Sequence, residues 1–491
     1  MDHKKHSLAD FDRSADEYTT QTLNDAQASA AMVVLVKGEQ CYVLHHGTCS
    51  DESPAAVDGQ TVFDTGSCGK AFTATAAALQ VSRGKLAWDD PLCELVPEFQ
   101  LYDDWVSKNV TLRDALGNRL CIQRETPLEF GVDASVPMTE LLRRARFARR
   151  LCPFRDRFAY SNLGFMAASL AVSRSDGRPY AEFLKQELLT PLGMSRTVPV
   201  GGLPAGDRNS ATAYTTVNGK RTAVPEFVDR NYEGCGGLLS CSDDLVRWLR
   251  FNLSGGGTLL PAEFETLHRP QVRMDPQRTL LWHSPPEALF PSYGLGWAVT
   301  HLAGRRLVQH AGEVPGTLAT VAFLPEDGIG VAVCAASASL PVHSVLAYHL
   351  LETALGLTPR DWRAASLQDI EKRRARAAAQ LPEEARTHDQ AAADVAGVYR
   401  SLAAGDVAIT GGGDTYILEY PDSAMWRQRL QRQSGNLFHG MFTEPSGLAY
   451  SSDNMPVWFS FDGKGPAALH HPFFGRAEKI DTDQAAAASR P

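Results

Sequence analysis

A serine three residues ahead of a lysine, a tyrosine two residues ahead of an asparagine and a histidine two residues ahead of a glycine stand out in this 491-residue chain. Their types and spacing could do covalent chemistry. The first pair lies in Phe63-Asp64-Thr65-Gly66-Ser67-Cys68-Gly69-Lys70-Ala71-Phe72-Thr73. On a helix, i, i+3 spacing puts Ser67 and Lys70 on one face, where the amine can take or relay the hydroxyl proton. The helix start also offers unpaired N–H groups and positive potential where an oxyanion would develop. The second stretch is Phe158-Ala159-Tyr160-Ser161-Asn162-Leu163-Gly164. A phenol beside an ammonium can shuttle a proton to a leaving group. Asn162 can donate its amide to a substrate carbonyl or to Lys70. The third is Gln309-His310-Ala311-Gly312-Glu313-Val314-Pro315-Gly316. On a strand end, Gly312 permits close approach of a substrate, and the Glu313 N–H supplies a second oxyanion donor. His310 orients Tyr160 or contacts substrate.

Each stretch alone has a plainer reading. A bare Ser-x-x-Lys arises by chance on solvated helix faces, a buried tyrosine commonly just satisfies its hydroxyl, and a lone strand histidine is more often structural. The three together, in this order, carry the chemistry. Cys68 is one helical step, about 100°, from Ser67, which turns it away from Lys70 and toward a packing role. The Glu313 carboxylate reads first as a solvent-facing rim group and second as a binder of a substrate amine.

The elements that must position these groups follow from pattern. Residues 31–36 and 41–45 read as a hairpin through Lys37-Gly38-Glu39. A helix is expected over residues 71–81, ending at Arg83-Gly84. Residues 92–258 are helix-rich, and a helix over 243–252 has Ser240 or Ser242 as its candidate N-cap. Strands return at 296–302, 307–310, 318–324 and 329–335, followed by a helix over 342–355. Strands at both ends of a helical insert imply one mixed, largely antiparallel sheet covered by helices, an α+β fold with a helical subdomain. Residues 358–394 suit a helical connector. Residues 395–482 hold short strands separated by turns and read as a small β-barrel or sandwich, with a fraying tail at 483–491.

Composition narrows the partners. The chain carries a formal charge of −9, which argues against nucleic acid, because phosphate binding needs clustered Lys and Arg. Residues 1–23 lack a signal-peptide apolar stretch and no run reaches the roughly 20 apolar residues of a membrane span, so a cytoplasmic protein is expected. Nine cysteines without a Cys-x-x-Cys pair read as scattered reduced thiols, and fourteen histidines form no metal signature. Neither a metal nor another cofactor is expected.

The three motifs together resemble the serine β-lactamase-like family, which includes class C β-lactamases, DD-peptidases, D-aminopeptidases and family VIII-type esterases. Gly84-Lys85-Leu86-Ala87-Trp88-Asp89-Asp90-Pro91, Gly236-Gly237-Leu238-Leu239-Ser240 and Tyr293-Gly294-Leu295-Gly296-Trp297 extend the likeness over residues 28–355. The resemblance implies a β-lactamase/transpeptidase-like catalytic domain over residues 1–357, with Ser67 as nucleophile, Lys70 as its base, Tyr160 as general base or acid, and His310 in the third motif. Asn162, Gly312 and Glu313 would then face substrate. Two departures bear on specificity. His310 stands where lactamases and DD-peptidases usually carry lysine, as in many esterases and D-aminopeptidases. Leu116-Gly117-Asn118-Arg119-Leu120 replaces a common His-Thr-Ser-Gly-like run.

The resulting expectation is a serine hydrolase acting on an ester or amide of a small molecule or short peptide. Two alternatives stand beside it: a transacylase passing the acyl group to an amine or alcohol, and a non-catalytic scaffold. Homo-oligomerisation is left open.

Overall fold

A computed structural model of the chain describes residues 8–52, 54–123, 136–217, 220–224, 233–275, 285, 288–314, 316–337, 341–379, 393–401, 405–419, 427–443, 455–462, 465–471 and 475–480. The expected connector's residues 380–392 and the tail at 483–491 lie outside them.

Two strands from the start of the chain and six from residues 272–336 form one antiparallel sheet. From edge to edge it runs Gln40–Gly47, Ala30–Lys37, Ile329–Ala336, Thr317–Leu324, Arg305–Val314, Ala298–Leu302, Ser292–Tyr293 and Val272–Arg273. The distant ends meet in register, with Ala30 opposite Ala336 and Lys37 opposite Ile329. Both central strands are almost wholly apolar because both of their faces are covered. Strand alternation divides their side chains between two cores. Met32, Val34 and Val36 join the core containing the Gly69–Ser82 and Ser242–Leu253 helices, whereas Ala31, Val33 and Leu35 join the one under Val342–Ala354. The Gly69–Ser82 helix is thereby pressed against one face of the sheet.

Two stretches differ from the sequence reading. Residues 1–23, read only as lacking a signal-peptide apolar stretch, include most of a helix, Leu8–Asp25, on the outer core. Its inward stripe includes Ala15, Thr19, Thr22 and Leu23, and the two threonines mask the apolar period. The helix at 242 is capped by Cys241 and not by either serine. Ser240 ends a strand with its hydroxyl 2.9 Å from Thr197 Oγ1, and Ser242 is already helical, 2.9 Å from His45 Nε2.

Beyond the Trp362–Ala379 helix, eight strands between Gly397 and Ile480 close into a barrel in sequence order, the last pairing with the first at Val398 and Ile480. Closure leaves no sheet edge. Alternate residues point inward, and Tyr399, Tyr416, Phe438 and Phe459 fill the interior. Among the described residues, no helix is long and apolar enough to cross a membrane.

Candidate active site

The site begins at a turn that only glycine tolerates. Gly66 has φ +50° and its N–H donates to Asp64 Oδ1 at 2.7 Å, which starts a 3-10 turn at Gly66–Cys68 leading into the Gly69–Ser82 helix. Thr65 anchors the approach from the other side, its N–H and hydroxyl both donating to the Leu238 carbonyl at 2.9 and 2.8 Å. The turn carrying Ser67 is thus held on both sides.

Ser67 is 9% exposed and Lys70 is fully buried. Lys70 Nζ donates to Ser67 Oγ at 3.0 Å and to the Cys235 carbonyl at 2.5 Å. The Tyr160 ring centroid lies 4.9 Å and the Phe165 centroid 5.4 Å from the same nitrogen. The turn at Gly234-Cys235 that offers the Cys235 carbonyl is tied down in turn by Thr73, whose hydroxyl donates to Gly234 O at 2.7 Å and lies 2.6 Å from Tyr180 Oη. Ser67, Lys70 and Tyr160, separated in sequence, are therefore brought together.

The third motif closes the opposite wall. Gly312 belongs to the strand Arg305–Val314, and a Cβ there would fall 2.0 Å from Thr65 O and 2.9 Å from Ser67 N. A Cβ on Gly66 would meet Glu313 N at 2.9 Å. These two glycines let the Arg305–Val314 strand and the turn carrying Ser67 approach each other closely. The Glu313 side chain is exposed, and alternation sends it from the strand face opposite to that of Gly312. Asn162 is buried as the first residue of the Asn162–Asp176 helix.

His310 is also fully buried, its Nδ1 2.7 Å from the Ala311 carbonyl and its Nε2 3.0 Å from Tyr293 Oη. The Tyr160 and His310 rings are 6.4 Å apart. Burial pushes the Tyr293 phenol well above its ordinary range. Cys68 packs as expected, with Sγ donating to the His310 carbonyl at 3.2 Å and burial raising the thiol to about 12.

Sequence reasoning passed over two residues. Tyr293 sat in a noted motif without a role, and the later glycine of that motif packs against the nucleophile helix, a Cβ on Gly296 falling 2.8 Å from Lys70 O. Asn118, within the departure at 116–120, touches the Tyr160 segment directly. The expectation of scattered reduced thiols is corrected as well: Cys121 and Cys152 form a disulfide across 31 residues, their Cα atoms 5.2 Å apart. A bridge of this kind is uncommon in a reducing compartment and weighs against the cytoplasmic reading. No group of three or more metal-binding side chains occurs among the described residues.

The chain is 26% identical over 370 residues to an unguisins hydrolase of Aspergillus campestris, covering 72% of this chain and 67% of that protein. It is 22% identical over 334 residues to the D-alanyl-D-alanine-carboxypeptidase/endopeptidase AmpH of Escherichia coli, covering 64% and 81%. The octameric penicillin-binding protein homologue of Pyrococcus abyssi superposes with a TM-score of 0.63 at 20% identity, covering 95% of this chain and 99% of that one, barrel included. The Beta-lactamase family model matches residues 15–355, which contain every residue of the site, and the chain belongs to this family of serine hydrolases.

Proposed function

We propose that this protein cleaves an ester or amide bond of a small molecule or short peptide through an acyl-enzyme on Ser67. The observation that carries the reading is the 3.0 Å hydrogen bond from buried Lys70 Nζ to Ser67 Oγ, closed over by the Tyr160 ring. In acylation, Lys70 takes the hydroxyl proton as Ser67 Oγ attacks the carbonyl carbon, and the Ser67 and Glu313 amides hold the oxyanion. Tyr160, beside Lys70, returns the proton to the leaving oxygen or nitrogen. Water then attacks the ester, and the same groups move its proton to Ser67 as the acid departs.

The third motif bears on substrate. His310 is buried against Tyr293 and presents no lysine ammonium to a substrate carboxylate. This supports esters, amides and N-terminal D-residue peptides over β-lactams. The name of one relative, a D-alanyl-D-alanine-carboxypeptidase/endopeptidase, supports a peptide bond as the target.

The test is a matched panel of p-nitrophenyl butyrate, D- and L-alanine p-nitroanilides and nitrocefin, each with wild type and Ser67→Ala. Faster turnover of the ester or the D-anilide than of nitrocefin, lost in Ser67→Ala, is expected. Nitrocefin as the best substrate would overturn the specificity assignment, and a Ser67→Ala variant that keeps its rate would overturn the nucleophile.

A further inference from the structure

Tyr160 lies in a segment with no regular structure just before a helix, yet a proton donor must be aimed to within a fraction of an ångström to be useful. Asn118 supplies the constraint. Its main-chain carbonyl accepts the Ala159 N–H at 3.0 Å and its side-chain Oδ1 accepts the Ser161 N–H at 2.9 Å. One residue therefore grips the peptide on both sides of Tyr160. It does so from φ +54°, a left-handed conformation that turns backbone and side-chain oxygens toward the same neighbour and that asparagine tolerates better than most residues.

The grip is itself anchored. Asn118 N–H donates to Ala115 O at 3.3 Å, at the end of the Leu112–Leu116 helix, whose capping box uses Thr111 and Asp114. Asp114 is buried and clamped by Arg155, whose own N–H donates to Arg119 O at 3.1 Å. Farther along, Leu151 N–H donates to Cys121 O at 2.8 Å, next to the Cys121–Cys152 bridge. Residues 118–121 thus run as a brace along 151–161. On the other side Asn118 lies against the Tyr293 phenol, which leads to His310. The Ala311 carbonyl can only accept, so His310 Nδ1 donates to it and leaves Nε2 to accept from the Tyr293 hydroxyl.

We propose that Asn118 is the positioning residue that aims the Tyr160 phenol at the Ser67–Lys70 pair; this rests on the proton-donor role given to Tyr160 above. Asn118→Gly keeps the left-handed backbone and the main-chain acceptor but removes the grip on Ser161. Asn118→Asp retains an oxygen for that N–H.

The experiment compares kcat/KM on a p-nitrophenyl ester and a p-nitroanilide of the same acyl group, for wild type, Tyr160→Phe, Asn118→Gly and Asn118→Asp, each checked by thermal unfolding. A phenolate leaves without a donated proton and an anilide does not, so losing an aimed acid hurts the anilide more. Asn118→Gly is expected to lose at least about tenfold more on the anilide than on the ester, as does Tyr160→Phe, with Asn118→Asp recovering most of the difference. If Tyr160→Phe shows the selective loss and Asn118→Gly falls equally on both substrates or on neither, the Asn118 assignment is wrong while the Tyr160 role stands. If Tyr160→Phe itself shows no selectivity, the donor role fails and takes this proposal with it.

Discussion

Around Ser67 the buried polar groups converge, whereas inside the barrel they close on themselves. Lys70 reaches Ser67 and the Cys235 carbonyl, Asn118 holds the peptides flanking Tyr160, and His310 meets the Tyr293 hydroxyl. In the barrel, Tyr399 donates to the Val395 carbonyl and His471 lies 2.8 Å from Gln428 Oε1, while Phe438 and Phe459 meet edge to face at 5.4 Å. Both interiors bury polar side chains among apolar ones. Only the first sets a lysine amine against the hydroxyl of a serine that stays 9% exposed. Under the function proposed above, that placement, and not burial alone, distinguishes the site from a stabilised core.

The comparison can be broken most severely at Ser67. Ser67→Ala should lower kcat/KM by at least about 1,000-fold with an unchanged melting temperature, because it removes the reacting atom and little else. Initial rates and a thermal melt on one preparation check both halves. Gly312→Ala comes next. Its Cβ would fall 2.0 Å from Thr65 O, so strand and nucleophile turn must part, and a loss of about 100-fold is expected from misplacement alone, together with a lower melting temperature. Wild-type activity in this variant would mean that the two oxyanion amides need not be adjacent.

The barrel should respond the other way. Phe459→Ala removes a fully buried ring and should cost about 3–5 kcal/mol of barrel stability, read by urea unfolding, while kcat per folded molecule stays unchanged. A parallel drop in kcat would show that the barrel takes part in the chemistry. The smallest effect is one of pH. Burial holds His471 down to about 3 against an ordinary 6.5, so the unfolded chain binds its proton first as the medium is acidified. Its contribution to stability is complete above 6.5 and is lost as pH falls toward 3. Urea midpoints taken at pH 7 and pH 4 should differ more for wild type than for His471→Gln.

How much of this could be read from the sequence depended on the range of the interaction. Ser67 and Lys70 were legible because their spacing acts within one helix turn, and the central strands because unbroken apolar runs need cover on both faces. Tyr160 and Gly312 needed the family resemblance to be placed beside them. Asn118 was visible only as a departure from a familiar run, since its hydrogen bond to Ser161 spans 43 residues and rests on a left-handed backbone that asparagine alone does not announce. The Cys121–Cys152 bridge left no spacing signal for the same reason. At Leu8–Asp25 the pattern was local but disguised, because buried threonines took the place of apolar residues.

The central claim is that Ser67 carries the acyl group. Intact-protein mass spectrometry during rapid-quench turnover of p-nitrophenyl butyrate tests it directly, followed by peptide mapping of the modified species. A transient adduct of one butyryl mass on the peptide containing Ser67, absent in Ser67→Ala, is the predicted result. An adduct on another residue, or turnover by Ser67→Ala at the wild-type rate, would contradict it.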